Sequence, residues 1–180
     1  MKNRKLNILL DLDETLISSK ASEEFNFKNK KKMKKFDFED MDGYYIIFER
    51  PNLQKFLTYV FENFNVSVWT AASKDYALFI IDKIIIGNHK NRKLDYIFFS
   101  YHCDISKKMV KGIKNLKMLW DIYKLKGYDE GNTFIIDDNE EVLKHCKQNC
   151  IQIKPFDYED KNSFEDRELL KIMDTLKKLN

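Results

Sequence analysis

The chain has 180 residues, of which 43% are hydrophobic and 34% are charged, with only 5 Gly and 2 Pro. This composition is typical of one globular domain that buries about 70% of its unfolded surface, and it excludes a disordered chain, a collagen and a disulfide framework. The net charge of +3 is the small difference between 32 basic and 29 acidic residues, which argues against binding to nucleic acid or membranes through overall charge.

The first predicted element is a buried strand at Asn7–Leu10, which runs directly into the acidic segment Asp11-Leu12-Asp13-Glu14-Thr15. The residues before this strand are too few for the apolar region of a signal peptide, and no apolar stretch approaches the 18 residues of a membrane span. We therefore expect a soluble protein that is not secreted.

The next segment, from Lys20 to Asp42, shows no regular apolar pattern, and lysines accumulate between Lys28 and Lys35. A predicted turn at 41–43 then leads to a strand at 44–48. We predict that residues 20–49 form an inserted flap. The lysine run is either functional, as a basic surface for an acidic phosphoprotein or a nucleic-acid backbone or as a localisation signal, or it is a solvated loop in a lysine-rich chain. The solvated loop is favoured.

The rest of the chain alternates between helical and strand patterns. The predicted helices lie at 51–64, 76–86, 113–123, 140–148 and 169–179, and the predicted strands lie at 66–69, 96–101, 133–136 and 151–154. This alternation predicts an α/β fold with a mainly parallel sheet. No repeat or linker divides the chain, so we expect residues 1–180 to form a single domain.

The three cysteines are odd in number and lack CxxC spacing, which indicates a reducing compartment and hence a cytoplasmic or nuclear location. His145, Cys146 and Cys150 resemble a set of metal ligands, but a pattern of helix followed by strand is more typical of packing.

Paired carboxylates follow two of the predicted strands, and a hydroxyl follows a third. The carboxylates are Asp11 with Asp13 and Asp137 with Asp138, and the hydroxyl belongs to Thr70. Ligands bind open α/β sheets beyond the carboxyl ends of the strands, where the strand order reverses, so we expect these side chains to converge. Four carboxylates in one crevice need a cation between them, and oxygen ligands without Cys or His favour Mg²⁺.

A calcium loop of the EF-hand type is an alternative for the acidic segment. Asp11, Asp13 and Thr15 fit its first three ligand positions. However, Leu16 stands where the loop requires Gly, and Ser22 stands where it requires a bidentate Glu. Both the sharp turn and the strongest ligand are missing, which excludes this type of site.

Several motifs in order resemble those of the haloacid dehalogenase superfamily, and most closely its C-terminal-domain phosphatase family, including the small phosphatases that act on the RNA polymerase II tail. The resemblance spans about residues 6 to 178, and the motifs are Asp-Leu-Asp-Glu-Thr-Leu at 11–16, Arg50-Pro51, Thr70-Ala71 with Tyr76-Ala77, Met109-Val110-Lys111 and Ile136-Asp137-Asp138-Asn139. The resemblance implies a Rossmann-like core with three α/β/α layers.

The resemblance also implies a phosphoric monoester hydrolase with defined residue roles. Asp11 would be the nucleophile that forms an aspartyl-phosphate, and Asp13 would protonate the leaving oxygen and then activate water. Thr70 would donate a hydrogen bond to a phosphoryl oxygen, and Lys111 would neutralise charge on the transferred group. The alternatives for these last two are a helix N-cap at Thr70 and a solvated surface position for Lys111.

The metal set implied by the resemblance is Mg²⁺ held by Asp11, by the main-chain carbonyl of Asp13 and by Asp138, with Asp137 close by. The sequence departs from the family at several points near this site. Ala72 stands where Ser is usual, and Asp137-Asp138 stands where Asp-Asn is usual. No Arg follows Ile97-Phe98, where the small phosphatases carry one for substrate binding, and Gly112 replaces the Asp that usually follows the catalytic lysine.

The segments between the motifs leave room for the flap but for no large cap domain, so we expect an open crevice. An open crevice cannot enclose a metabolite, which favours a phosphorylated residue presented on a larger chain. The resemblance favours phosphoserine or phosphothreonine in a peptide, with the RNA polymerase II tail as one candidate. Membranes are not expected as partners, and a nucleic acid is less favoured than a protein.

Two other functions stay open from the sequence. One is a polynucleotide 3′-phosphatase, in which the basic flap would follow the phosphates of the strand. The other is a catalytically silent module that binds phosphopeptides, although such a module would be expected to have lost Asp11 or Asp13, and both are present.

Overall fold

The computed structural model describes residues 5–25 and 30–179. Its strands are β1 (Asn7–Leu10), β2 (Ile17–Ala21), β3 (Phe38–Met41), β4 (Tyr45–Glu49), β5 (Asn65–Trp69), β6 (Leu94–Phe98), β7 (Thr133–Asp137) and β8 (Cys150–Gln152). Its α-helices are α1 (Lys30–Met33), α2 (Leu53–Asn63), α3 (Lys74–Ile80), α4 (Ser100–Val110), α5 (Glu140–His145) and α6 (Glu168–Leu176).

A parallel sheet with the strand order β6-β5-β1-β7-β8 forms the centre of the molecule. The chain leaves β1 toward β5 and β6 on one side and returns to β7 and β8 on the other, so the order reverses at β1. Leu10 pairs with Val68 of β5 and Ile136 of β7, and the carboxyl ends of the three central strands are therefore level.

Helices cover both faces of this sheet because its strands are apolar on both faces. Ile8 and Leu10 pack into a core with α2, α3 and α6. Leu9, which points the other way, packs into a second core with α4 and a π-helical turn at Met118–Ile122. The predicted α/β fold with three layers and a mainly parallel sheet is confirmed.

The segment predicted as a flap lies within a second sheet, which is antiparallel with the order β2-β4-β3. The predicted turn at 41–43 joins β3 to β4, with left-handed backbone at Asp42 (φ 48) and Gly43 (φ 79). A third apolar cluster lies between this sheet and the later part of the chain, formed by Phe25, Met33, Phe36, Ile46, Phe48, Phe156 and Tyr158. Lys28 and Asn29, part of the lysine run, lie outside the described residues.

Three predicted elements differ from those observed. The strand predicted at 96–101 ends at Phe98 and is followed by α4, a helix that the sequence did not indicate. The helix predicted at 113–123 is limited to the π-helical turn Met118–Ile122 and flanking turns. The helix predicted at 76–86 continues past α3 as a π-helix, Ile81–Ile86. No described helix has the length and apolar character needed to cross a membrane.

Candidate active site

A crevice of about 200 Å³ lies beyond the carboxyl ends of β1, β5 and β7. It is lined by Asp11, Asp13, Glu14, Thr70, Ala71, Ala72, Ile113, Lys114, Asp138 and Asn139. Asp11 follows β1 directly, Thr70 follows β5, and Asp138 follows β7. The level strand ends bring these side chains to one place, where the strand order reverses.

Three carboxylates in and beside the crevice form a group that could hold a metal ion. One oxygen each from Asp11, Asp137 and Asp138 lies within 4.8 Å of the others. Asp11 is only 6% exposed and Asp137 is fully buried. The ligand atoms offered are hard carboxylate oxygens, which fits Mg²⁺ or a similar divalent cation better than zinc.

Asp137 and Asp138 differ in what their oxygens already bind. Asp137 accepts hydrogen bonds from Lys114 Nζ on Oδ2 and from the Asn139 amide on Oδ1. Asp138 accepts a hydrogen bond from the Thr15 hydroxyl on Oδ1 at 2.9 Å, and its side chain lines the crevice. Asp138 is therefore the better placed of the two for direct metal contact.

The cation of the site is Lys114. Its Nζ lies 2.6 Å from Asp11 Oδ1 and 2.7 Å from Asp137 Oδ2, and its side chain is 4% exposed. A buried ammonium between two buried carboxylates offsets part of their mutual repulsion. The predicted nucleophile is thus held beside a fixed positive charge.

The structure does not bring Lys111, the lysine assigned to this role from the sequence, into the crevice. Lys111 is exposed and closes α4 with a left-handed φ of 56. Gly112 follows at φ 118, and a Cβ there would lie 2.6 Å from the His145 ring. The chain turns out of the helix at these two residues and returns to the crevice at Lys114, so Lys114 and not Lys111 lines the crevice.

The sequence held a signal for Lys114 that the motif comparison missed. Asn115 follows it directly, in the position where the family usually has Asp. The Asn115 Oδ1 accepts a hydrogen bond from the Lys117 amide at 3.1 Å, and its Nδ2 donates to the Lys111 carbonyl. Asn115 therefore caps the turn after the lysine, as an Asp would.

Asp13 lines the crevice beside Asp11, with its carboxylate turned toward the second sheet and α3. Its Oδ1 accepts hydrogen bonds from the Tyr76 hydroxyl at 2.5 Å and from the Ser19 hydroxyl at 3.4 Å. Asp13 is not part of the group of three carboxylates that converge. Its side chain is therefore available for proton transfer.

Thr70 is buried at the end of β5, and its hydroxyl oxygen accepts a hydrogen bond from the Ala72 amide at 3.1 Å. This contact is a local turn rather than the N-cap of α3, because that cap is Ser73. The hydroxyl proton of Thr70 is left for another acceptor in the crevice.

Burial controls the protonation of the group. It raises the pKa of Asp11 to about 6 and the pKa of Asp137 to about 6, although Lys114 lowers both. Burial also raises the pKa of Asp13 and of Asp138. Burial opposes the charge on Lys114, but Asp11 and Asp137 outweigh it and raise the pKa of that ammonium. The carboxylates are costly to ionise together, and a divalent cation would remove this cost.

The family model for NLI interacting factor-like phosphatases matches residues 6–180. The chain belongs to this family. The predicted membership of the haloacid dehalogenase superfamily and its C-terminal-domain phosphatase-like branch is confirmed, and the chain is thereby placed among phosphatases. The finer placement with the small phosphatases stays a prediction.

Individual proteins agree with this assignment. The chain is 46% identical over 175 residues to the CTD phosphatase-like protein 355R of Invertebrate iridescent virus 6, which covers 94% of this chain and 96% of that protein. The structure of Fcp1, an essential RNA polymerase II CTD phosphatase, matches with a TM-score of 0.67 and 19% identity, covering 98% of this chain and 62% of the other.

A second similar structure is a haloacid dehalogenase family enzyme from Bacteroides thetaiotaomicron in complex with magnesium and inorganic phosphate. It matches with a TM-score of 0.50 and 14% identity, covering 91% of this chain and 100% of the other. At these identities both structures show the fold alone. Together with the three convergent carboxylates, the family membership indicates a metal-dependent enzyme.

Proposed function

We propose that this chain is a magnesium-dependent phosphatase that removes phosphate from phosphoserine or phosphothreonine through an aspartyl-phosphate on Asp11. The observation that carries the proposal is the position of Asp11, a buried carboxylate 2.6 Å from Lys114 and grouped with Asp138 in the crevice. A nucleophile, a fixed cation and a set of hard oxygen ligands meet at one point. The match over residues 6–180 supports one catalytic domain along the chain.

In the first step, Asp11 attacks phosphorus, and the bond from phosphorus to the oxygen of the substrate breaks. Asp13 gives its proton to that leaving oxygen, which departs as an alcohol. In the second step, Asp13 takes a proton from water, the hydroxide attacks phosphorus, and the bond to Asp11 breaks to release phosphate. Asp13 recovers its proton and Asp11 its carboxylate.

Two further side chains would stabilise the phosphoryl group as it moves. Thr70 accepts its hydrogen bond from Ala72, which leaves its proton free to donate to a phosphoryl oxygen. Lys114 would face the same group from the side of Asp11. Fixed donors of this kind supply much of the stabilisation in phosphoryl transfer, because the charge they meet is spread over several oxygens.

The metal would be held by carboxylate oxygens of Asp11 and Asp138 and by the main-chain carbonyl of Asp13. Asp137 would hold Lys114 in place rather than bind the metal, since Lys114 and the Asn139 amide already occupy its two oxygens. When bound, Mg²⁺ supplies positive charge that neutralises the phosphate and lets Asp11 approach it.

The proposed substrate is a phosphorylated protein or peptide, because no cap domain covers the crevice in the described part of the chain. The Fcp1 structure is that of an RNA polymerase II CTD phosphatase, which makes a polymerase tail one candidate. No arginine lines the crevice, and Lys114 is the one cation among the residues that do. A cytoplasmic or nuclear location is part of this proposal, and the free cysteines fit a reducing compartment.

The flap lysines give little support to the polynucleotide alternative. Lys20 forms ion pairs with Asp157 at 3.2 Å and Glu159 at 3.1 Å. Lys32 Nζ donates to the Asp160 carbonyl, and Lys35 lies 3.4 Å from the centroid of a phenylalanine ring. These lysines are engaged within the chain, which favours a phosphoprotein over a nucleic acid as substrate.

The test is hydrolysis of a panel that contains phosphoserine and phosphothreonine peptides and a 3′-phosphorylated oligonucleotide, with and without Mg²⁺. We expect turnover of the peptides that requires the metal, and loss of that turnover in Asp11→Asn. Preference for the oligonucleotide, with a steep dependence on salt, would instead support the polynucleotide alternative. Full activity of Asp11→Asn would exclude the aspartyl-phosphate.

A further inference from the structure

Asp13 is held by a tyrosine that none of the proposed chemical steps uses and that is not among the residues lining the crevice. The Tyr76 hydroxyl donates to Asp13 Oδ1 at 2.5 Å. This is the shorter end of the range for a hydroxyl bound to a carboxylate, where the bond is assisted by charge. Ser19 adds a second, longer bond to the same oxygen, at 3.4 Å.

Tyr76 is itself fixed by its surroundings. It lies in the first turn of α3, where its amide donates to the Ser73 side chain, and the residue is 9% exposed. Its ring meets the edge of the Tyr45 ring, with the centroids 5.4 Å apart and an angle of 77° between the planes. Edge-to-face contacts of this kind are favourable and restrict the ring.

Both supports of this arrangement come from the second sheet. Ser19 belongs to β2 and Tyr45 belongs to β4. The antiparallel sheet therefore contacts Asp13 directly through Ser19. Its Tyr45 contacts Asp13 only indirectly, through Tyr76.

We propose that Tyr76 is a positioning residue for Asp13. The Tyr76 hydroxyl holds Asp13 Oδ1, so that Asp13 Oδ2 is the oxygen that carries the proton to the leaving group. The second sheet supports Tyr76 through its contact with Tyr45. This inference rests on the proposed function, because it concerns the acid in the first step. With two donors on Oδ1, a proton on that oxygen would face another proton. The proton to be transferred therefore resides on Oδ2.

This role has a consequence that depends on the leaving group. The alkoxide of serine is a poor leaving group and needs the proton, whereas p-nitrophenolate leaves without one. A misplaced Asp13 should therefore slow the release of serine and leave the release of p-nitrophenolate nearly unchanged. A loss of folding or of phosphate binding would slow both.

The experiment measures the first turnover, with enzyme in excess, on a phosphoserine peptide and on p-nitrophenyl phosphate. Tyr76→Phe keeps the ring and removes only the hydroxyl. We expect its rate to fall about tenfold or more on the peptide and by less than about threefold on the aryl phosphate, since positioned general acids contribute at least this much. Tyr59→Phe is the matched control, and we expect it to leave both rates unchanged.

Ser19→Ala provides a second variant. We expect its rate on the peptide to fall less than that of Tyr76→Phe, because the hydrogen bond from Ser19 to Asp13 is longer. An equal loss on both substrates, or a loss that disappears when the enzyme concentration is saturating, would overturn the proposal and assign Tyr76 to structure or binding. If Tyr76→Phe does not fold, an unchanged ratio of rates in Ser19→Ala would also overturn it. Activity of Asp11→Asn on either substrate would contradict the proposed function itself, whatever the ratio.

Discussion

Two buried cations form ion pairs on either side of the loop at residues 11–16, and they differ in what their charges face. Lys114 binds Asp11 and Asp137 at the crevice. On the other side of the loop, Arg50 binds Asp166 through two parallel bonds of 2.9 Å, and its side chain is fully buried. Both pairs touch the loop, one at its first residue and the other through the Thr15 carbonyl.

The difference lies in how completely each cation is satisfied. Besides Asp166, Arg50 donates to the Thr15 carbonyl at 2.9 Å and to the Lys154 carbonyl at 2.8 Å. All its bonds lie within the protein, so its effect is to fix the backbone of the loop. Lys114 instead lines an open crevice, where its charge can act on a ligand. We therefore expect loss of Lys114 to appear mainly in activity and loss of Arg50 mainly in stability.

The largest expected effect is on the catalytic rate of Lys114→Met. The change removes the cation beside Asp11, and we expect kcat/KM on a phosphopeptide to fall on the order of 10³-fold, as for loss of one oxyanion donor. Lys111→Met is the matched control, because that lysine is exposed three residues earlier, and its activity should stay within about twofold of the parent. A greater loss in Lys111→Met would restore the assignment made from the motif.

The second effect is on the stability of Arg50→Met. Removing the guanidinium leaves Asp166 and the two carbonyls without their partner, and we expect the free energy of unfolding in urea to fall by about 3–5 kcal/mol. The matched control is Arg167→Met, at the exposed arginine directly after Asp166. This change should alter the free energy of unfolding by less than about 0.5 kcal/mol. If Arg50→Met unfolds like the parent but loses activity as Lys114→Met does, the contrast between the two pairs is wrong.

The third effect is the pH dependence of the metal-free protein. Burial raises the pKa of Asp11 from 3.8 to about 6, so between these values the folded protein holds a proton that the unfolded chain has released. This contribution to stability is complete below about pH 4 and is lost as the pH rises to about 6. One proton held over two pH units contributes roughly 2–3 kcal/mol.

The measurement is the difference in unfolding free energy between the parent and Asp11→Asn, followed from pH 4 to 7 without metal. As the pH rises, the parent should lose stability relative to Asp11→Asn. Adding Mg²⁺ should reverse this trend near pH 7. A difference that does not vary with pH would show that Asp11 titrates normally.

The smallest effect concerns the flap lysines. Lys32 Nζ donates to the Asp160 carbonyl and lies 5.0 Å from the centroid of the Tyr158 ring. Lys32→Ala should therefore lower stability by about 0.5–1 kcal/mol, because surface contacts of this kind contribute little. Exposed Lys34→Ala should change neither stability nor activity. A loss of oligonucleotide hydrolysis in Lys34→Ala would instead support a basic surface for nucleic acid.

The sequence predicted the parts of the fold that follow from apolar runs and from the polar residues directly after those runs. β1, β5 and β7 are short apolar strands, and the polar residues at their ends mark the crevice. The positions of Asp11 and Thr70 follow from these strands and from the parallel sheet, whereas the Asp13 carboxylate is also held by Tyr76 and Ser19. The sequence predicts helix α2 because Leu53, Phe56, Leu57, Val60 and Phe64 recur at helical spacing, and the first four of them are buried along it.

The sequence could not predict elements whose form depends on distant contacts. α4 buries only Cys103 and Ser106 along eleven residues, so it has no apolar period to detect. The choice of Lys114 over Lys111 depends on the backbone leaving α4 in the left-handed region, which sequence spacing does not encode. The contact between Tyr76 and Asp13 joins α3 to the loop after β1 across 63 positions.

We expect Asp11 to carry the phosphoryl group during turnover. The most direct measurement is to incubate Asp13→Asn with ³²P-labelled p-nitrophenyl phosphate and Mg²⁺, quench in acid and locate the label. Because p-nitrophenolate leaves without a proton from Asp13, the first step should proceed, and loss of the base should slow the second step and leave the intermediate. We expect label on Asp11 that hydroxylamine releases, and no label in the Asp11→Asn/Asp13→Asn double variant. Label on any other residue, or equal labelling of the double variant, would contradict it.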